Sequence, residues 1–224
     1  NIYKTLKIPV RLMVNITVKG MPLFINEFLW SSGVAFLNQL LSLRGYDVVA
    51  AINITSTVAN LFNVVFMAFA IALSVIIGKL LGAGEYEEAV SVNTKLIAFS
   101  VMACVVIGGL LAAVSPVLPL VYKTSDAIRQ MSTKFLLISG LCMPIYAFVT
   151  ACYFTVRSGG RTWLTFLLDS ACLWIVRIPF TAALIYLTDL NVVVIFLFCQ
   201  LIDLIKVAIS YALVKKRIWV NRLV

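Results

Sequence analysis

Five charged side chains stand inside runs of otherwise apolar residues: Glu27, Asp169, Arg177, Asp203 and Lys206. Glu27 is the most isolated. It sits in "FINEFLWSSG", and from Gly20 to Leu43 no other residue is charged. Its neighbours at helical spacing are Leu23, Phe24, Trp30 and Ser31, with Asn38 eleven residues on. Lys19 is eight residues back, about 12 Å along a helix at 1.5 Å per residue. Desolvation favours the neutral form of an acid and a nearby cation favours the charged form, so a carboxyl between these influences is a natural coupling element. The alternative is a carboxyl tied to another helix by hydrogen bonds alone.

Asp203 and Lys206 are three apart in "QLIDLIKV". That spacing makes them neighbours on one helix face, where an ion pair lowers the cost of inserting both into lipid. Arg177 precedes Pro179 in "LWIVRIP" and lies eight residues after Asp169. Its partner is Asp169 or Asp203, or it snorkels to an interface. A further polar set, Asn53, Ser56, Asn60 and Asn63, is spaced 0, 3, 7 and 10. At 3.6 residues per turn these fall within about 80° of one another and share a face. In lipid such a face either joins helices or lines a wet cavity. With Trp30 and Asn38, these four residues are the candidate cavity lining.

Other chemistries lack their parts. There is no histidine, which removes the commonest proton shuttle and metal ligand. The five cysteines all lie within apolar runs and form no C-x-x-C pair, so they read as small hydrophobes with no metal site. "GKLLGAGE" lacks the G-K-[ST] ending of a phosphate loop, and "RSGGR" reads as a tight turn between spans. No serine has an activating histidine and no aspartate has a G-x-G-D context, so no catalytic residue is assigned and an enzyme is not expected. Any transport must draw on an ion gradient, with H+ or Na+ as the coupling ion and no other cofactor.

The elements that position these groups follow from composition. Of 224 residues, 62% are hydrophobic and 12% charged, with a mean hydropathy of +1.07. Soluble domains are nearer half apolar and a quarter charged, so the solvent for this chain is lipid. Six segments reach the roughly 20 apolar residues a spanning helix needs, at 20–43, 49–78, 95–121, 134–156, 162–187 and 191–214. They make residues 20–214 a six-helix transmembrane lobe. Residues 1–19 form a basic amphipathic linker and 215–224 a basic tail. The net charge of +9 resides mainly in the loops. Twelve basic residues fall on one side of the spans (Lys4, Lys7, Arg11, Lys19, Lys79, Lys95, Arg157, Arg161, Lys215, Lys216, Arg217 and Arg222). Four fall on the other (Arg44, Lys123, Arg129 and Lys134), which puts both ends of the segment in the cytoplasm. No basic stripe accompanies base-stacking aromatics, so nucleic acid is not an expected partner.

Taken in order, several stretches resemble the C-terminal half of the multidrug and toxic compound extrusion (MATE) family, most closely its bacterial branch. "GMPLFINEFLWSSG" is similar to the start of the seventh family helix and "VVAAINI" to the eighth. "GKLLGAGEYEEA" resembles the turn that follows. "TVRSGGRTWLTFLLDSACLWIVRIP" resembles the tenth-to-eleventh hairpin, and "QLIDLIKVAISYALVKKRIWV" the last helix and tail. The resemblance implies an all-α polytopic membrane protein, a six-helix bundle forming one lobe of a twelve-helix transporter in the bacterial inner membrane. It also implies export of drug-like organic cations or amphipathic compounds in exchange for H+ or Na+. Glu27 matches an acidic position on the seventh helix implicated in cation binding, and Asp169 falls in the eleventh-helix pattern. The opening residue is Asn1, and alternating access needs two bodies, so a missing N-terminal lobe of the same polypeptide is the expected partner, with membrane lipid around both. A lipid-linked sugar flippase of the broader superfamily is the nearest rival, disfavoured because its cavity needs an excess of bases. A membrane scaffold that moves nothing is the rival from another class.

Overall fold

The computed structural model describes residues 10–220, and among these every regular element is helical. Helix α1 runs Val10–Ser42, α2 Tyr46–Ala83, α3 Tyr86–Val114 and α4 Asp126–Ser158, with a 3-10 turn at Leu118–Val121 between the last two. The fifth long segment is composite. It begins as α5 (Thr162–Phe166), continues through π-helical stretches at Leu167–Ala171 and Leu173–Arg177, and ends as α6 (Ile178–Leu187). The sixth is α7 (Val192–Leu201) followed by α8 (Asp203–Lys215), interrupted at Ile202. Five of the six segments are long and apolar enough to cross a membrane. The exception is α1, which is as long but carries Asn26, Glu27, Asn38 and Gln39.

The helices run past the apolar boundaries expected from hydropathy, because specific residues end them. Gly84 closes α2 in the left-handed conformation (φ 81°), its N–H meeting the carbonyls of Leu80 and Leu81. A left-handed cap of this kind favours glycine. The stretch 79–95, a polar break by composition, is therefore helix on both sides of a two-residue turn. The third span, expected at 95–121, stops at Val114. Pro116 cannot donate to the carbonyl of Ala112, and Ser115 Oγ does so at 2.8 Å. Side-chain caps start two others: Ser125 accepts from Ile128 N at the head of α4, and Asn191 from Val193 N at the head of α7.

The π-helical widening has a local cause. Pro179 lacks the N–H that would bond the carbonyl of Ile175 and its ring crowds that turn, so the preceding backbone opens. Asp169 and Arg177 both sit on the widened stretch.

Helix α4 is the hub, packing against α2, α3, α7 and α8. Where α3 crosses it, a Cβ on Gly108 would meet the carbonyl of Gly140, and one on Gly140 would come within 2.6 Å of the Gly108 carbonyl. That Gly140 carbonyl is the one Pro144 leaves without its in-helix donor, so small residues and an orphaned acceptor meet at one crossing. Between α1 and α2, Arg44 serves as a cap for a distant helix. Its Nη2 donates to the carbonyl of Ile185 at 2.9 Å and to that of Thr188, at the C-terminal end of α6.

Residues 1–9 and 221–224 of the expected linker and tail lie outside the described residues, and from Val10 the backbone is already one helix with α1. The described part of the tail does not trail away. Trp219 is buried against Leu81, Ala89 and Val156, Arg217 Nη1 binds Glu87 Oε1 at 2.7 Å, and Gly159 abuts the Trp219 backbone with no room for a Cβ. The tail is basic by composition, but its tryptophan finds an apolar seat beneath α2, α3 and α4.

Candidate functional site

Successive residues of an α-helix point about 100° apart. On α1 this sends two polar neighbours in different directions. Asn26 turns into the bundle and is 1% exposed, whereas the Glu27 side chain is 57% exposed. Glu27 Oε1 lies 3.7 Å from Nη1 of Arg157, in the last turn of α4. The Arg157 guanidinium in turn sits 5.7 Å from the centre of the Phe154 ring. Glu27 therefore has no partner on its own helix but has one across the bundle.

Asn26 holds the junction beneath. Its Nδ2 donates to the Tyr153 hydroxyl at 3.3 Å and reaches Asp169 Oδ2 at 3.5 Å. The Ser170 hydroxyl lies 2.8 Å from Asn26 Oδ1 and 2.9 Å from the Asn26 carbonyl. One turn further, Trp174 Nε1 donates to the Leu29 carbonyl at 2.9 Å. That approach is open because Gly33 has no side chain: a Cβ there would come within 2.5 Å of Leu173 and 3.0 Å of Trp174 Nε1. Thus α1, α4 and the π-helical stretch gather two acids, one base, an amide and a phenol.

A second cluster is closed. Arg177 Nη1 binds Asp203 Oδ2 at 3.1 Å, and its Nη2 donates to Gln200 Oε1 at 2.7 Å. The Tyr146 hydroxyl donates to the same Gln200 oxygen at 2.5 Å. Lys206 Nζ lies 3.6 Å from Asp203 Oδ1. The Asp203 side chain is 3% exposed. Arg177 thus meets Asp203, not Asp169, and both Arg177 and Lys206 share that one carboxylate.

The polar set on α2 points away from this bundle. Asn53, Ser56 and Asn60 are exposed and Asn63 half-buried. Ser56 Oγ donates to the Asn53 carbonyl, and Asn63 Nδ2 to Asn60 Oδ1 at 3.4 Å. On α1, Trp30 and Asn38 are exposed as well. These residues join neither charged cluster, and those on α2 lie among exposed apolar residues such as Leu61 and Val64.

Asn26, Ser170, Tyr153, Gln200 and Tyr146 are not singled out by the sequence, and Arg157 stands there only as one of the charges that set topology. Asn26 and Ser170 had a signal, since each is a polar neighbour of a singled-out acid. Gln200 stands three before Asp203, at pairing distance on a helix. Tyr146 carried none. Among the described residues no three His, Cys, Asp or Glu side chains gather as a metal-binding group, and the five cysteines are free.

A protein-family model, MatE, matches residues 22–183. That range contains the Glu27 cluster, the α2 polar face and Arg177, and stops short of Asp203 and Lys206. No curated protein matches the chain significantly.

Proposed function

The chain belongs to the MatE family, whose members are helical membrane transporters, and from that premise we propose that it forms the C-terminal half of a secondary antiporter. In this reading it exports drug-like organic cations or amphipathic compounds in exchange for H+ or Na+. A six-helix lobe faces a second lobe across a central cavity, in a bacterial inner membrane, with the strongly basic end of the bundle cytoplasmic. Glu27 and Asp169 are the coupling acids, and Asn53, Ser56, Asn60, Asn63, Trp30 and Asn38 line the cavity.

The observation that carries the proposal is the exposed amide face of α2. Asn53 and Asn60 on an apolar spanning helix are costly against lipid, and the bundle's own core does not cover them. Water in a cavity facing a second lobe satisfies them. Glu27, half exposed and held by a long ion pair, is reachable by a proton or a cation without unpacking the core. An ion that binds one state better than another shifts the population toward it, and competition with a cationic substrate for the same carboxylate then gives exchange. The flippase reading is weaker, because the bases that would hold a pyrophosphate are engaged by acids: Arg157 by Glu27, and Arg177 and Lys206 by Asp203.

The test is efflux of a fluorescent organic cation from vesicles carrying the intact parent protein, with both lobes, under an imposed proton or sodium gradient. The native protein should export under one of the two gradients, and Glu27→Gln should lower the rate about tenfold or more at unchanged expression. That factor corresponds to about 1.4 kcal/mol. Efflux that survives Glu27→Gln makes Glu27 structural. No efflux under either gradient favours a flippase or a scaffold.

A further inference from the structure

The closed cluster leaves one donor and one acceptor unfinished beside a single cavity. Asp203 is 2% exposed, and Arg177 Nη1 binds its Oδ2 at 3.1 Å. Its other oxygen, Oδ1, is buried and accepts no hydrogen bond among the described residues. The Nη1 and Nη2 groups of Arg177 are taken up by Asp203 and Gln200, and its Nε is buried with no acceptor. Lys206 Nζ is 3.6 Å from Oδ1, close enough to neutralise it and too far to bond it. Arg177, Asp203 and Lys206 line a cavity of about 10 Å3, together with Cys172, Val176 and Ile202. About that much room, with two to four polar partners, is what one buried water needs. The backbone on both sides agrees. One wall is the π-helical stretch Leu173–Arg177, wound wide. The other is the break at Ile202, wound tight, where Ile205 N donates to the Ile202 carbonyl at 3.0 Å. Both lie inside spanning segments, where irregular backbone is tolerated if it is buried in protein or lines a wet cavity.

We propose that this cavity is the binding site of one resident water molecule, which accepts from Arg177 Nε and Lys206 Nζ and donates to Asp203 Oδ1. The wall selects a neutral ligand, because it carries two cations and one carboxylate. A halide would satisfy the two donors but press against Oδ1. A metal cation would suit Oδ1 but meet the guanidinium and the ammonium. A ligand that both donates and accepts satisfies all three groups, and water is small enough to enter. Three hydrogen bonds are also the usual number for a buried water. The bridge explains the long Lys206 contact, since a water between the ammonium and the carboxylate carries the interaction that 3.6 Å leaves unbonded. A buried polar network is costly while part-satisfied and rigid once complete, so the water fastens the last spanning segment to the one before it. The inference does not rest on the transporter reading, because hydration of the site is measurable without transport.

The experiment is a cavity-filling cycle, read as the Tm of the intact protein in detergent. Val176→Ile adds one methyl group to the wall, enough to displace a single water. In the native background it should lower the Tm by about 5 °C, because displacement strands Oδ1 and Nε. In the Arg177→Met/Asp203→Leu background, which has neither atom, the same substitution should leave the Tm unchanged or raise it. An equal loss in both backgrounds is overpacking and overturns the proposal. So does an unchanged or higher Tm in the native background, the mark of a dry cavity filled. A crystal structure of the native protein, at a resolution that shows ordered water, gives a reading independent of any variant. A density peak about 2.7–3.2 Å from both Asp203 Oδ1 and Arg177 Nε is expected. Lys206 Nζ closed onto Oδ1 with no peak between them overturns the site. A peak that gains electrons when bromide replaces chloride overturns it in favour of an anion.

Discussion

The Glu27 and Asp203 clusters use the same side-chain types and meet opposite environments. Each pairs an acid with an arginine from another segment and adds a tyrosine and an amide. The Arg157–Glu27 contact is 3.7 Å long with side chains 34% and 57% exposed, whereas Arg177–Asp203 is 3.1 Å with side chains 16% and 3% exposed. An exposed pair contributes little, because solvent screens it and two long side chains must be ordered to form it. A buried pair is different: losing one member strands a charge where nothing can solvate it. The first cluster is therefore free to open and exchange partners at small cost, and the second holds the last two segments and α4 in register. Mobility of charge belongs to the first, rigidity to the second.

The largest effect that would break this contrast is at Arg177. Arg177→Met leaves Asp203 buried with only the distant Lys206 ammonium, and removing one partner of a buried pair costs about 3–5 kcal/mol. Arg177→Met should therefore sharply reduce folded yield or lower the Tm. The double variant Arg177→Met/Asp203→Leu, which removes both charges, should recover most of the loss. A cycle in which the double variant is as damaged as the sum of the singles would mean that the two residues do not act as a pair. The readout is Tm by tryptophan fluorescence in detergent, scored as a double-mutant cycle.

An intermediate effect is expected where the two regions adjoin. Ser170 bonds Asn26 and is the seam between α1 and the π-helical stretch. Interhelical hydrogen bonds in membrane proteins contribute on average about 0.6 and at most about 1.7 kcal/mol. Ser170→Ala should lower stability within that range, and crosslinking between α1 and the π-helical stretch should become less specific in register. A loss as large as that at Arg177 would erase the distinction between an adjustable seam and a fixed one.

What the sequence made legible follows the same division. The pairing of Asp203 with Lys206 is readable because both sit on one helix at a fixed spacing. The partner of Arg177 is not readable, because the widened backbone between Asp169 and Arg177 changes the angle at which the two residues point. Arg157 reads as one of a dozen loop charges that set topology, and only the fold brings it to Glu27, 130 residues away in sequence. The helical lobe itself is legible from hydropathy. Its helix ends are not, because Gly84 and Pro116 set them by backbone geometry whatever the polarity around them. Trp219 is lost inside a run of basic residues, where composition argues for solvent and packing decides for burial.

The smallest expected effect is the one that sharpens the comparison most. Glu27→Gln removes a charge from a pair in which the carboxylate is more than half exposed, and such pairs contribute about 0.2–1 kcal/mol. For a chain of this length that corresponds to a fall in Tm of about 4 °C at most. Arg157 has a second resting place, since its guanidinium already lies over the Phe154 ring, so losing the carboxylate does not strand it. The substitution should leave the fold nearly untouched while efflux falls. A residue whose removal costs transport and spares stability acts in the working cycle, and the same measurement on Arg177→Met should give the reverse order of effects. If Glu27→Gln instead melts as early as Arg177→Met, the open cluster carries structural weight that its exposure does not suggest, and Asp169 becomes the acid to test for coupling.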